Sequence, residues 1–381
     1  MIKKKFSNIN MNPEISVILI FYNDADYLAE TIRSILKQTY QNFELLMYNN
    51  GSTDGSHDIA KDFAKQDERI TIIHSAKNYH NGSLNFRKLL KETKGKYIRF
   101  FCADDVMYPE CLEKQLNFLE NHKNHIACFA HLQCIDDNSR IIKQTHKSAM
   151  KDNRFAYLNH LFYSYSVFAF PTALVRKKNL KEEMLDPRLI QFSDSKLWLE
   201  VLKQGECYVL DDYLVQYRLR KGEGNVSNLA KSRGRLNSFL FELEIFYEEF
   251  FKFTNLKEYK AIFPEAEQYL KKIGNDKELL PFITAILLYN SEKFKPFHFS
   301  LHRDIALKKM FQIISDEKLA KKISDKLELD YLTIYQLTRH YHEGLDYDYS
   351  RIGRNLLCKL YYKLISRKKY KKLASLNHLP N

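Results

Sequence analysis

Two adjacent carboxylates, Asp104 and Asp105, lie just after a short, mostly apolar run at residues 97–101. Paired carboxylates at the end of a strand can hold a hard divalent cation such as Mn²⁺ or Mg²⁺, because these cations prefer oxygen ligands. The pair can equally cap the helix that is predicted to follow near Pro109, since Asp is favoured at a helix N-terminus. The sequence therefore offers a candidate cation site, with helix capping as the alternative.

Polar loops follow three of the predicted strands at the point where each strand ends. The strands are predicted from apolar runs at residues 15–21, 43–48, 70–73 and 97–101, with helical spacing of apolar residues between them. This alternation predicts an α/β fold with a mostly parallel central sheet that is covered on both faces. In such sheets the carboxyl ends of the strands form the binding crevice. We therefore expect one site to be formed by the loops at residues 22–24, 49–54 and 103–105.

The composition of the 381-residue chain argues against several classes of protein. It has only 11 Gly and 8 Pro, unlike collagen-like or low-complexity chains. No apolar run approaches the roughly 20 residues that span a bilayer, and asparagines interrupt any signal peptide after the basic start at residues 1–5. The six cysteines form no CxxC pair, so we expect a cytoplasmic protein whose thiols stay reduced. No P-loop or GxGxxG turn supports a kinase or a dinucleotide oxidoreductase.

The net charge of +13 is concentrated at the C-terminal end of the chain. Residues 351–381 carry nine basic side chains and no acidic one, which leaves +4 for the first 350 residues. A nearly balanced body without a recognised motif argues against a nucleic-acid partner. Within the tail, apolar residues recur at helical spacing, while Lys359, Lys363 and Arg367 form a separate stripe. This amphipathic helix either lies on an anionic membrane surface or packs on the body with solvated lysines.

The pattern of the sequence changes near residue 232, where strand signals give way to long aromatic helices. Glycines cluster at residues 222–235, where we place the domain boundary. We expect an α/β domain at 1–230, a helical domain at 231–350 and a basic amphipathic tail at 351–381. Helices of the second domain are predicted at residues 236–253, 264–273, 279–288, 304–314 and 318–327.

Six short motifs, found between residues 15 and 227, resemble those of the family 2 glycosyltransferases. Each motif is weak when taken alone, but together they have the order and spacing of that family. The resemblance implies the GT-A fold and transfer of a hexosyl or N-acetylhexosaminyl group from a nucleotide donor. The motifs lie at residues 16–23, 34–40, 50–55, 95–98, 103–105 and 194–199.

The resemblance implies roles for three aspartates. Asp194 matches the general base, which takes the proton of the acceptor hydroxyl in a single displacement that inverts the anomeric centre. Asp105 matches the ligand of Mn²⁺ or Mg²⁺, which stabilises charge on the departing diphosphate, and Asp104 faces the ribose or the metal. The alternative for Asp194 is a helix N-cap, and Asp186, in a Leu-Asp-Pro turn, is a second candidate base.

The resemblance also outlines a nucleotide pocket. Phe21 and Tyr22 lie where the family packs a ring against the base, although Phe21 also suits the hydrophobic core. Asn50 replaces the Asp that accepts the uracil N3–H in the family. Its carbonyl can accept the same bond and its amide can donate to cytosine N3, so a UDP-sugar is favoured and a CDP-linked donor stays open. Arg87 is the candidate that faces the diphosphate.

Arg220 departs from the family pattern. Many relatives have Tyr-Arg-x-His after the base, and in this chain Arg220 stands at the position of the His. Arginine cannot bind a cation, but its planar fork can clamp phosphate oxygens. We expect Arg220 to neutralise the diphosphate and to relax the dependence on metal. The alternative is a solvated loop residue beside Lys221.

The sequence thus predicts an inverting glycosyltransferase that acts on a bacterial surface glycan such as a capsule, a lipooligosaccharide or another lipid-linked acceptor. The acceptor class rests on the resemblance and on the cationic tail, through which the protein would bind the inner face of the cytoplasmic membrane. The alternative is a degenerate member, in which Asn49, Asn50 and Arg220 mark lost activity and a nucleotide-binding or scaffolding module remains. The presence of Asp104, Asp105 and Asp194 argues against that alternative.

Overall fold

Strands and helices alternate through the first hundred residues, as the apolar pattern predicts. The computed structural model describes residues 12–79, 81–144, 153–220, 233–290 and 299–338. All four predicted strands are present, and each is as long as predicted or one residue longer. The elements of this part are β1 (Ile15–Phe21), α1 (Ala25–Leu36), β2 (Phe43–Asn49), α2 (Ser56–Gln66), β3 (Ile70–His74), α3 (Gly82–Glu92) and β4 (Tyr97–Cys102).

β1 lies at the centre of this part of the sheet. It pairs in parallel with β2 and β4, and β3 pairs in parallel with the outer edge of β2. Phe21 is opposite Asn49, and Ile20 is opposite Cys102. Because neighbouring parallel strands end at the same edge, the loops after these strands lie side by side, as predicted.

The strands after β4 make the sheet mixed. The strand order is β3-β2-β1-β4-β8-β6-β9-β5, with β7 paired to β6. Within the described residues, every antiparallel pair includes a strand that follows β4. The α/β fold class is confirmed, and its parallel half is the part that carries the polar loops. The added elements are β5 (Val106–Met107), α4 (Cys111–Asn121), β6 (His125–Ile135), β7 (Ile141–Gln144), α5 (Arg154–Ser164), β8 (Leu174–Arg176), α6 (Ser193–Gln204) and β9 (Glu206–Arg218).

β9 returns the chain to the loop that follows β4. In its pairing with β5, Gln216 is opposite Val106, which is the residue after Asp105. The end of β9 therefore lies beside the Asp104–Asp105 turn. This pairing brings Arg218 to a site whose other parts come from the first hundred residues.

The sheet separates two hydrophobic clusters. One cluster lies on the side of α1 and α4 and includes Val17, Leu19 and Leu112. The other lies on the side of α3, α5 and α6 and includes Phe100 and Trp198. Both faces of the sheet are therefore covered, as the continuous apolar runs of β1 and β2 require.

The helices after residue 233 extend the second cluster. The ring of Phe162 in α5 lies 5.4 Å from Tyr247, 5.1 Å from Phe250 and 5.0 Å from Phe263, measured between centroids. The helical part and the sheet thus share one core. The helices are α7 (Arg233–Glu248), α8 (Leu256–Ile262), α9 (Glu267–Ile273), α10 (Leu280–Asn290), α11 (Phe299–Ile314), α12 (Glu317–Leu327) and α13 (Tyr331–Thr338).

Two of these helices, α8 and α13, escape prediction from the sequence. They span seven and eight residues, which is about two turns and too short for a clear apolar period. α8 is defined by its cap, because Asn255 Oδ1 accepts the N–H groups of Lys257 and Glu258. None of the described helices has the length and apolar character to cross a membrane. The predicted boundary at residue 230 and the predicted tail at 351–381 lie outside the described residues.

Candidate active site

The loop after β1 is framed by side chains of the motif that follows β2. Asn23 has a left-handed backbone with φ of +53°, and its Oδ1 accepts the N–H of Thr53 at 2.8 Å. The hydroxyl oxygen of Ser56 accepts the N–H of Asp24 at 2.8 Å. The segment at residues 50–56 therefore fixes the backbone of Asp24, to which sequence reasoning assigned no role.

Gly51 lets the loop after β3 cross this motif at close range. Its φ is +78°, and a Cβ there would lie 2.7 Å from the backbone N of Asn78 and 2.7 Å from the carbonyl carbon of Lys77. Glycine tolerates both the backbone conformation and the close approach. The crossing brings Asn78 to Asn50, whose Nδ2 donates to Asn78 Oδ1 at 2.7 Å.

Arg220 lies between two carboxylates at the edge of the sheet. Its Nε is 2.7 Å from Asp104 Oδ2, and its terminal nitrogen forms a second ion pair with Asp24. The guanidinium also covers the ring of Tyr27, 4.8 Å from the centroid. Burial raises the pKa of Asp24, and the charge of Arg220 opposes that shift. The structure therefore joins Asp24, Asp104 and Arg220 into one buried cluster.

Arg218 supports the Asp104–Asp105 turn from the core. Its side chain is fully buried, and its backbone N–H donates to Asp105 Oδ1 at 2.9 Å. Its Nε donates to the carbonyl oxygen of Asp104 at 2.8 Å, and its guanidinium forms an ion pair with Glu30 at 2.6 Å. Burial and the charge of Asp104 raise the pKa of Asp105 well above its usual range. The signal for Arg218 was its place in the motif before Arg220, although no role was predicted for it.

A divalent cation does not fit this arrangement as it stands. Asp104 is paired with Arg220, and Asp105 Oδ1 is committed to the N–H of Arg218. The carboxylate of Asp105 is fully buried and also accepts a hydrogen bond from the Cys102 thiol, so only its Oδ2 is left as a candidate ligand. No cluster of three or more His, Cys, Asp or Glu suited to a metal ion occurs in the described part of the chain. An ion on Asp104 must displace Arg220, and the Mn²⁺ or Mg²⁺ site at these aspartates stays a prediction.

The predicted nucleotide residues differ in their access to a ligand. Phe21 is 1% exposed and packs in the core, which agrees with the alternative interpretation, whereas Tyr22 is 39% exposed and can meet a base. Asn50 Oδ1 accepts the N–H of Tyr79 at 3.3 Å, so its amide is engaged at both ends within the protein. A carbonyl oxygen has a second lone pair, which leaves Asn50 one acceptor position for a nucleobase.

Arg87, predicted to face the diphosphate, lies on α3 and contacts the segment before α6. Its Nε donates to the carbonyl oxygen of Leu185 at 2.7 Å. No contact among the described residues joins it to Asp104 or Arg220. Arg87 therefore supports the segment that leads to α6, and a contact with the diphosphate stays a prediction.

Asp194 lies in the first turn of α6 and is partly exposed. Its Oδ1 accepts the N–H of Ser195 at 2.8 Å, and burial raises its pKa. One turn later, Trp198 packs edge-on against Phe100 of β4, with 6.1 Å between ring centroids. α6 therefore packs on β4, the strand that precedes the Asp104–Asp105 turn. No described contact joins Asp194 directly to Asp104.

Asp186, the second candidate base, is engaged in its own turn. Its Oδ1 accepts the N–H of Arg188 at 3.0 Å, and its Oδ2 forms an ion pair with the Arg188 side chain at 2.6 Å. These bonds lower the pKa of Asp186, led by the hydrogen bond from the Arg188 side chain. A carboxylate with a lowered pKa is a weaker base, so the turn role is the better account of Asp186.

A comparison with known families identifies the chain. The sequence profile of Glycosyl transferase family 2 matches residues 16–183, a segment that contains Asp24, Asp104 and Asp105. Residues 16–183 form a family 2 glycosyltransferase domain. The matched segment ends before Asp194, so the assignment of the base does not depend on it.

Two glycosyltransferases are similar to this chain in sequence over more than half of its length. An uncharacterized glycosyltransferase of Methanocaldococcus jannaschii is 28% identical over 224 residues, which cover 58% of this chain and 76% of the relative. The putative teichuronic acid biosynthesis glycosyltransferase TuaG of Bacillus subtilis is 27% identical over 211 residues, which cover 55% and 81%.

Solved structures show the same fold. Residues 1–349 of S. aureus TarS match with a TM-score of 0.55 and 16% identity, over 84% of this chain and 93% of that one. The complex of the same protein with UDP-GlcNAc matches with a TM-score of 0.54, over 87% and 92%. The GT-A fold is therefore confirmed, and the likeness extends beyond the predicted α/β domain into the helical part.

Proposed function

We propose that this glycosyltransferase moves a sugar from a UDP-sugar to a hydroxyl group of a surface-glycan acceptor, with inversion at the anomeric carbon. The observation that carries the proposal is the largely buried guanidinium of Arg220 between Asp24 and Asp104, at the edge where the parallel strands end. A fixed positive charge stabilises the negative charge that develops on a departing diphosphate. The TarS complex with UDP-GlcNAc and the name of the Bacillus subtilis relative support the donor and the acceptor class.

The bond changes assign a task to Asp194. The acceptor oxygen forms a bond to the anomeric carbon, the bond from that carbon to the diphosphate oxygen breaks, and the diphosphate keeps the electron pair. The acceptor hydroxyl becomes acidic as its oxygen attacks, and Asp194 takes the proton. Burial raises the pKa of Asp194, which makes its carboxylate a stronger base than that of an exposed Asp.

Arg220 binds the diphosphate in this proposal. Asp24 and Asp104 hold the guanidinium against Tyr27 before the donor arrives, so little orientation is lost on binding. The diphosphate would compete with Asp24 and Asp104 for the guanidinium N–H groups, and arginine forms strong hydrogen bonds to phosphate oxygens. Tyr22 packs on the nucleobase and Asn50 accepts its N3–H, with uracil favoured and cytosine as the alternative.

Turnover of a panel of radiolabelled UDP- and CDP-sugars tests the proposal. We expect the wild type to release the sugar to water or to an acceptor, and Asp194→Asn to lose about 10²–10⁴-fold in rate, the usual contribution of a positioned base. Asp58→Asn is the matched control, because Asp58 also lies in the first turn of a helix and is exposed. Nucleotide binding with no turnover of any donor would favour the degenerate alternative.

The tail at residues 351–381 is proposed to hold the enzyme at an anionic membrane surface, where lipid-linked acceptors are found. Its nine basic residues and no acidic ones support this role. Deletion of the tail is expected to abolish co-sedimentation with anionic vesicles and to leave donor turnover in solution intact. Unchanged sedimentation would refute the membrane role.

A further inference from the structure

Glu242 of α7 connects the helical part to the segment that precedes Asp194. Its side chain is 3% exposed, and its Oε2 accepts three consecutive backbone N–H groups. The donors are Ile190, Gln191 and Phe192, at 3.0, 2.8 and 3.1 Å. Phe192 is the residue before α6, so these peptide groups lead directly into the turn that carries Asp194.

The position of residues 190–192 depends on these bonds. The three residues belong to no helix or strand, so no regular hydrogen-bond ladder orients their peptide groups. A buried carboxylate, in turn, is stable only where hydrogen bonds replace its lost water, and bonds to an ionised acceptor are the strong ones. The negative charge also lies at the N-terminal end of α6, where the helix dipole favours an anion.

Phe192, just before α6, and Lys196, within α6, also contact the helical part. The ring of Phe192 lies 5.0 Å from Phe239 and 5.6 Å from Phe246, between centroids. Four residues later, Lys196 forms an ion pair with Glu249 at 2.8 Å, and both side chains are largely buried. Asp194 lies between these two attachments, so its backbone is held on both sides by residues that follow the sheet in the chain.

We propose that Glu242 is a positioning residue that orients Asp194 for proton transfer and so couples the helical part to catalysis. The inference rests on the proposed role of Asp194 as the base. It gives the helical part a task that the sequence alone did not indicate. Glu242 touches neither donor nor acceptor, and it acts through the peptide groups at 190–192.

Steady-state kinetics of the full chain test this role with three variants. Glu242→Ala is expected to lower kcat about 100-fold and to leave the donor KM within about twofold of the wild type, because small misplacements of a base cost rate rather than binding. Glu242→Gln keeps an acceptor oxygen and should recover most of kcat. Glu244→Ala, which removes an exposed partner of Lys308 on the same helix, should match the wild type.

A double-mutant cycle separates this inference from the proposed function. If Glu242 acts through Asp194, adding Glu242→Ala to Asp194→Asn causes no further loss of kcat. Losses that multiply, or a wild-type kcat for Glu242→Ala beside an inactive Asp194→Asn, would overturn the positioning role alone. A wild-type kcat for Asp194→Asn would instead overturn the proposed function. Thermal unfolding reports which variants fold. If Glu242→Ala does not fold, Glu242→Asp, whose shorter side chain cannot keep the same three bonds to residues 190–192, takes its place in the cycle.

Discussion

Arg220 shows how far residue types can be interpreted before a structure is known. The family motif placed an arginine where relatives have a histidine, which predicted a positive charge near the diphosphate. Its partners were not predictable, because Asp24 and Arg220 meet only through the register of β9 against β5. For the same reason the motif named Asp104 and Asp105 but gave no indication that Arg218 fixes both.

The pH dependence of transfer follows from the state of Asp194. A base must be deprotonated to accept a proton, so activity is full above its pKa and is lost as the pH falls through it. Burial raises that pKa above the ordinary value of about 3.9 for Asp. We expect the acid limb of kcat/KM to lie above about pH 4 and to reflect one proton.

The matching measurement is kcat/KM for the donor between about pH 3 and pH 8. Asp58→Asn should reproduce the wild-type curve, since that side chain is exposed and remote from α6. An acid limb at or below the ordinary pKa of Asp would exclude Asp194 as the base.

At the scale of elements, contacts between loops determine the geometry of the site more than the strands do. Strand bounds were predictable from mostly apolar runs. Short helices such as α8 were not, because one cap defines them. The motif at residues 50–55 was identified by resemblance as part of a nucleotide pocket. In the structure, the loop after β3 packs directly against Gly51. The local sequence around either segment does not predict this contact.

Three Gly→Ala variants test how much this close loop contact matters for the free energy of unfolding. Gly51→Ala is expected to lower the free energy of unfolding by about 3–5 kcal/mol, because a strained backbone and displaced backbone atoms add together. Gly274 also has a positive φ but has no atom within 4 Å of the added Cβ, so Gly274→Ala should cost about 1–3 kcal/mol from strain alone. Gly82→Ala, with open space and an ordinary φ, should be neutral or stabilising by about 0.5 kcal/mol. Denaturant unfolding gives all three values, and equal costs at Gly51 and Gly82 would refute the crossing argument.

At the scale of the whole molecule, the sheet and the helical part share one core. The change of pattern near residue 232 predicted a separate helical domain, since sequence periodicity shows which elements form but not which faces they share. Phe162 lies among Tyr247, Phe250 and Phe263, so the two parts bury apolar surface against each other. Separating them would expose that surface to water.

Cooperative unfolding is the expected consequence of a shared core. Trp198 is the only tryptophan of the chain and is 1% exposed on the sheet side of the core, so its fluorescence reports the α/β part. Far-UV circular dichroism reports mainly the helices. We expect the two signals to give one denaturation midpoint. Two separated midpoints would show that the helical part unfolds on its own.

The cluster of Asp24, Asp104 and Arg220 is expected to receive the donor diphosphate. Calorimetric titration with UDP in the presence of a chelator tests this expectation most directly. We expect the wild type to bind, Arg220→Ala to bind about 10–100-fold more weakly, as the loss of a charged hydrogen bond implies, and the exposed control Arg33→Ala to match the wild type. Equal affinities of Arg220→Ala and the wild type, or wild-type binding that appears only with Mn²⁺ or Mg²⁺, would contradict the account.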